Sequence, residues 1–219
     1  MTRSVRWVPL ALLLGACGDD SNAPSDAGAL TDVASDVAAE TDAGADAAAC
    51  DLGDPPTTPT FTGAVRIAGG DAGAVIPTPS GGDPEGRWVA DGATLWFPEV
   101  ARGQLDESGS ELSGVAWGDF SAGRYRLLSD LVIRVNTVMA GPVPRPSRLG
   151  GRGAFTVQGE RLTLTPECTT MSGTLGMGAM AGPSGFAFSR DAADRARLFV
   201  YLGAAPLQAA LIFDLRRVQ

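Results

Sequence analysis

From Tyr125 to Met139 the chain alternates. Tyr125, Leu127, Leu131, Ile133, Val135 and Met139 share one parity, and Arg126, Asp130, Arg134 and Asn136 share the other. One apolar and one wet face at period two is the pattern of a half-buried antiparallel strand; a helix would space its polar residues at 3.6. Shorter runs of the same period predict strands at 62–67, 115–120, 186–188, 198–202 and 207–215. Arg87 to Phe97 is expected to form two short strands around Asp91-Gly92, a hairpin dipeptide. Phe155 and Val157 should face Leu162 and Leu164 across a turn near Gly159-Glu160. Segments 69–86, 141–153 and 169–184 are dense in Gly, Pro or both and read as loops, and 191–194 reads as a turn. The expectation is an all-β domain: an antiparallel meander of about eight strands, with no convincing helical period after the N-terminus. Eight such strands close into an up-and-down barrel or split into a sandwich.

The first residues, MTRSVRWVPLALLLGAC, have another logic. Arg3 and Arg6 precede an apolar run from Trp7 to Leu14, then the small residues Gly15 and Ala16. This order is that of a secretory signal peptide over 1–16. The run is far short of the ~20 residues that span a bilayer, and Pro9 opposes a stable core helix. Leu14-Gly15-Ala16-Cys17 resembles the lipobox of bacterial lipoproteins. That resemblance implies acylation of Cys17 and attachment to a lipid bilayer, stable when two or more chains are added. Gly18 stands where the inner-membrane retention signal of that family would place Asp, which implies the outer membrane.

Residues 18–49 hold eight carboxylates, no arginine and no aromatic residue. Such a segment cannot bury enough apolar surface to offset its ordering entropy, so 17–49 is expected to be a lipidated Cys followed by a disordered acidic Ala/Asp tether. The net charge of the whole chain, −8, is that of the tether. The β-domain, 50–219, is nearly neutral, with 15 arginines against 17 acids, and so carries no basic footprint for nucleic acid.

With Cys17 acylated, Cys50 and Cys168 remain. In an oxidising compartment they most simply pair; a reactive thiolate is the competing reading, and the chain has neither His nor Lys to depress a thiol pKa.

Gly86-Arg87-Trp88 resembles the Gly-x-Trp of lipocalin-like barrels. The resemblance implies a barrel rather than a sandwich, with an arginine of the last strand covering the tryptophan to close one end. Arg216 and Arg217 are available. Leu211, Phe213, Leu215 and Arg217 share a parity that is apolar until its end, so Arg217 is the expected partner of Trp88. A strand at 61–67 ahead of the motif departs from the usual lipocalin order. The layout of lipobox, acidic tether and a β-domain containing Leu-Thr-Leu-Thr-x-x-Cys is similar to that of uncharacterised proteobacterial lipoproteins.

Without His or Lys there is no Ser-His-Asp triad, Schiff base or P-loop lysine. Zinc spacing, flavin pattern and Gly-rich phosphate loop are also missing, so no enzyme activity, cofactor or metal is expected. The paired carboxylates Asp83/Glu85, Asp106/Glu107 and Asp191/Asp194 fall in expected loops, where turn chemistry accounts for them. Met171, Met177 and Met180 mark a soft segment, and Trp88, Trp96 and Trp117 are candidates to line an apolar pocket. Two functions fit: a membrane-anchored envelope lipoprotein binding a small apolar ligand or envelope component, or a structural or interaction lipoprotein with a filled barrel and contacts made by its loops. Barrel volume discriminates between them.

Overall fold

The structure is a computed structural model that describes residues 50–69, 74–138, 140–173 and 183–219. The expected signal peptide at 1–16, Cys17, the expected tether at 18–49, Met139, Met177 and Met180 lie outside the described residues.

Nine strands form one sheet: β1 Phe61–Ile67, β2 Gly86–Phe97, β3 Leu105–Ser121, β4 Arg124–Thr137, β5 Ala140–Gln158, β6 Arg161–Gly173, β7 Pro183–Arg190, β8 Arg195–Leu202 and β9 Ala209–Val218. From β2 to β9 the order is an antiparallel meander. The last strand returns to the second, from Arg87 opposite Val218 to Trp96 opposite Ala210, so the sheet closes on itself into a barrel-like ring. The weakest seam joins β6 to β7, where Arg161 and Leu162 meet Ala187 and Phe186.

β1 is the exception to the meander. It runs parallel to β2 at Ala64–Ile67 and antiparallel to β3 at Phe61–Ala64. It thus wedges between β2 and β3, which pair directly over Gly86–Val89. Its buried Phe61, Val65 and Ile67 fill the interior where those two strands part.

The alternation that begins at Tyr125 is realised in β4: Tyr125, Leu127, Leu131 and Ile133 are buried in the main core. The hairpin near Gly159 has the expected register, Phe155 opposite Leu164 and Val157 opposite Leu162. Four expectations need correction. Segment 169–184 is not all loop: residues 169–173 belong to β6 and pair with Ser147–Gly151 of β5. Asp91-Gly92 is not a hairpin turn: β2 runs straight through it, and the ladder with β9 skips Asp91 as a bulge between Ala90 and Gly92. The same Gly that would serve a tight turn serves a bulge. Segment 141–153 is not a loop but most of β5, paired along its length with β4. Pro144 and Pro146 are tolerated because, among the described residues, β5 pairs with β6 only from Ser147 onward. A strand with one open side need not lose a ladder bond to a proline. β3 begins at Leu105 rather than Val115, which carries Asp106 and Glu107 out of a loop and into a strand.

The strap from Ala74 to Glu85 explains a second apolar layer. Trp96, Ala187, Phe199, Ala210 and Ile212 form a cluster separate from the main core, and Ala74 and Ile76 of the strap pack against it. Ser80 N donates to Ser189 Oγ at 2.6 Å, and Arg190 N to the Gly81 carbonyl at 3.0 Å. On β8 and β9 both parities are therefore apolar, because the sheet is covered on both faces there.

Candidate functional site

Trp88 is wholly buried at one end of the ring. Its Nε1 donates to the Pro84 carbonyl at 2.7 Å, satisfying the one polar atom the indole carries inside. Phe188 meets it edge-on at 5.9 Å. Arg217 is its direct ladder partner on β9, and the Arg217 guanidinium carbon lies 5.9 Å from the ring centroid. A second guanidinium, that of Arg190, lies at 5.6 Å. Arg190 is held by the carbonyls of Asp83 (3.2 Å) and Ala193 (3.1 Å). Each such contact stabilises by roughly 0.5–2 kcal/mol. Arg216, one residue away, is instead opposite Val89; both arginines remain exposed to solvent, and it is the ladder position that sets Arg217 over the ring. Gly86 makes room: its φ is +134°, and a Cβ there would come within 2.9 Å of Arg217 Nε. Arg190 escaped sequence reading because only the β7–β8 turn brings it over Trp88; no motif marks it.

Among the described residues, aromatic side chains pack against one another beneath Trp88. Phe120 meets Phe155 edge-on at 5.5 Å, and Phe188 at 6.4 Å. Between Phe120, Leu127, Leu149, Phe186 and Phe213 there is a cavity of about 20 Å³. A water needs roughly 10–15 Å³ on this scale, whereas ligand pockets run to about 300–1,000 Å³. The three tryptophans do not share a pocket mouth. Trp88 faces inward, Trp96 belongs to the cluster under the strap, and Trp117, on the opposite parity of β3 from the core residues Ala116 and Phe120, is the one of the three that contributes to the lining of this small cavity. Trp117 Nε1 is buried with no partner among the described residues.

Cys50 and Cys168 are bonded, with Cα atoms 5.7 Å apart and a sequence separation of 118. The bridge is one of several ties on the segment that enters the domain. Arg152 Nη1 donates to the Asp51 carbonyl at 2.8 Å, and Arg126 Nη1 to the Leu52 carbonyl at 3.4 Å. Gly53 has φ +69°, and a Cβ there would stand 2.7 Å from Arg126 Nη1. Across the sheet Arg87, Asp119, Arg126, Arg152 and Cys168 are successive ladder partners. The bond from Cys50 therefore attaches at the end of a continuous polar row.

The carboxylate pairs serve local structure. Asp83 accepts from Glu85 N and Glu85 from Ala122 N. Asp106 accepts from Ser108 and Asn136, which hold its pKa below the usual carboxylate value, and Glu107 accepts from Ile67 N. Asp191 binds Arg197. Among the described residues no three His, Cys, Asp or Glu side chains gather to hold a metal, and no helix is long and apolar enough to cross a membrane. Set against known protein families, curated proteins and solved structures, the chain matches none.

The two ends of the ring differ in chemistry. At the end near Trp88 three of the four connections carry charge, Asp83 and Glu85, Glu160, and Asp191 with Asp194, and the fourth, Ala122-Gly123, leads into Arg124 of β4. At the other end, 203–208 and the β4–β5 tip from Thr137 to Pro144 carry none, whereas the β2–β3 connection carries the ion pair Arg102–Glu99. Six of the seven exposed large hydrophobics among the described residues (Val75, Val100, Val138, Val143, Met171 and Leu207) lie toward that end, with Val132 in mid-strand.

Proposed function

We propose that this chain is an envelope lipoprotein, held at the outer membrane through acylated Cys17, whose filled β-domain makes contacts through its loops rather than enclosing a ligand. The cavity of about 20 Å³ carries the second half of that reading. A small apolar ligand of the usual kind needs roughly fifteen times that space, so the domain would have to open to admit one. The exposed Val138, Val143 and Leu207, on two connections without charge, are the contact residues of this reading. The lipobox and the acidic segment carry the first half: a flexible tether of this length spans roughly 30 Å, and its self-repulsion extends it further.

Two measurements test the halves separately. Metabolic labelling with an alkyne fatty acid should tag the wild type and leave Cys17→Ser untagged; equal labelling of both would remove the anchor. An environment-sensitive apolar fluorophore titrated onto the purified chain should show no saturable one-to-one enhancement. Saturation with quenching of the buried tryptophans would favour the ligand-binding reading instead.

A further inference from the structure

Arg126 on β4 and Arg152 on β5 are directly opposed in the ladder, and Arg124 lies two residues along on the same face of β4. Like charges in that position repel unless something lies between them. The neighbouring carboxylates do not cancel the set. Asp119 is shared by Arg126 (2.6 Å) and Arg87 (3.4 Å). Glu167 is engaged by both terminal nitrogens of Arg124, which hold its carboxyl below the usual range, and it feels the charge of Arg152 as well. Arg152 donates one hydrogen bond, to a main-chain carbonyl, and its remaining donors have no further protein partner among the described residues. Four guanidiniums thus face two carboxylates.

Between them is a polar cleft of about 130 Å³, lined by Asp119, Ser121, Arg124, Tyr125, Arg126 and Arg152. That is roughly ten times the space one water requires.

We infer that this cleft is a binding site for a phosphate-class oxyanion, free or carried on a headgroup. The excess of two positive charges matches a phosphomonoester, which carries about −1.5 to −2 near pH 7. The planar fork of Arg152 suits two oxygens of one tetrahedral group, which a lysine would meet as a point charge. Because Arg126 and Arg152 also hold the carbonyls of Leu52 and Asp51, an anion there would tighten the same row that fixes the entering segment. The inference goes beyond the anchoring proposal and requires neither acylation nor a filled interior.

The test is a titration of the full chain, labelled with ¹⁵N-arginine, with inorganic phosphate. The Nε–Hε resonances of Arg124, Arg126 and Arg152 should shift saturably, while that of Arg145, elsewhere on β5, should not. Arg152→Gln should weaken binding about tenfold, the ratio for loss of one charge-assisted hydrogen bond, and Arg145→Gln should leave it unchanged. Arg124→Gln, which leaves the bond to Asp51 intact, serves as the second variant if Arg152→Gln disturbs folding. A parallel arm uses Cys17→Ser protein, so that no acyl chain carries it, with phosphatidylcholine vesicles with and without phosphatidic acid. Binding only to the doped vesicles, lost in Arg152→Gln, assigns a headgroup; a response to phosphate alone assigns the free anion. No saturable shift in either arm, or equal responses from wild type and both cleft variants, would overturn the site.

Discussion

Trp88→Ala should destabilise the β-domain by about 3–5 kcal/mol, the usual cost of deleting a fully buried large aromatic. Several losses coincide at this position. The edge contact with Phe188 disappears, two guanidiniums lose the ring they cover, and the Pro84 carbonyl loses its donor. Arg190 and Arg217 would then face a void instead of an indole. Urea unfolding followed by far-ultraviolet circular dichroism measures the effect. Trp88→Phe separates its parts: it keeps most of the apolar volume and removes the N–H, so it should cost much less than the alanine variant. A loss below about 1 kcal/mol for Trp88→Ala would mean that the ring does not depend on this end for its closure, and the lipocalin-like reading of Gly86-Arg87-Trp88 would lose its physical content.

The double variant Cys50→Ser/Cys168→Ser is the second large effect. A cross-link across 118 residues removes several kcal/mol of chain entropy from the unfolded state, and delivered values are typically about 2–4 kcal/mol. For a domain of this size that is a fall of roughly 10 °C in Tm. The loss should be local before it is global. With the bond absent, 50–60 is held by the carbonyl contacts of Arg126 and Arg152, so limited proteolysis should cut there while the meander stays intact. Identical melting of the oxidised wild type and the double variant would show that those contacts suffice without the disulfide.

What was readable in the chain follows from how far each signal reaches. Period two along β4 is local: each side chain reports which face its own strand turns to the core, so Tyr125, Leu127, Leu131 and Ile133 were legible as buried residues. The hairpin at Gly159 was legible for the same reason, since partners a few residues apart are set by the turn between them. The parity of β9 singled out Arg217 over Arg216 because Leu211, Phe213 and Leu215 had already assigned that face to the interior.

The failures are of the opposite kind. Pro144 and Pro146 look like loop residues because a proline lacks a donor; only the ladder with β4 reveals that the donor was not needed on that side. Asp91-Gly92 suits a turn and a bulge equally well, and the choice was made by β9, which lies more than a hundred residues further on. Phe199 and Trp96 sit on the outer parity and are buried only because the strap from 74 to 85 crosses above them. Arg190 reaches Trp88, and Arg152 meets Arg126, through pairings that no local spacing encodes. Sequence alone determined the class of fold, the inward face of a cleanly alternating strand such as β4, the likeness of the N-terminus to an acylation signal and the pair of cysteines available to bond. Tertiary structure decided how the sheet closes, what covers its outer face, how little room is left inside, and which arginines converge. Those depend on contacts between distant segments, and period and composition carry no information about them.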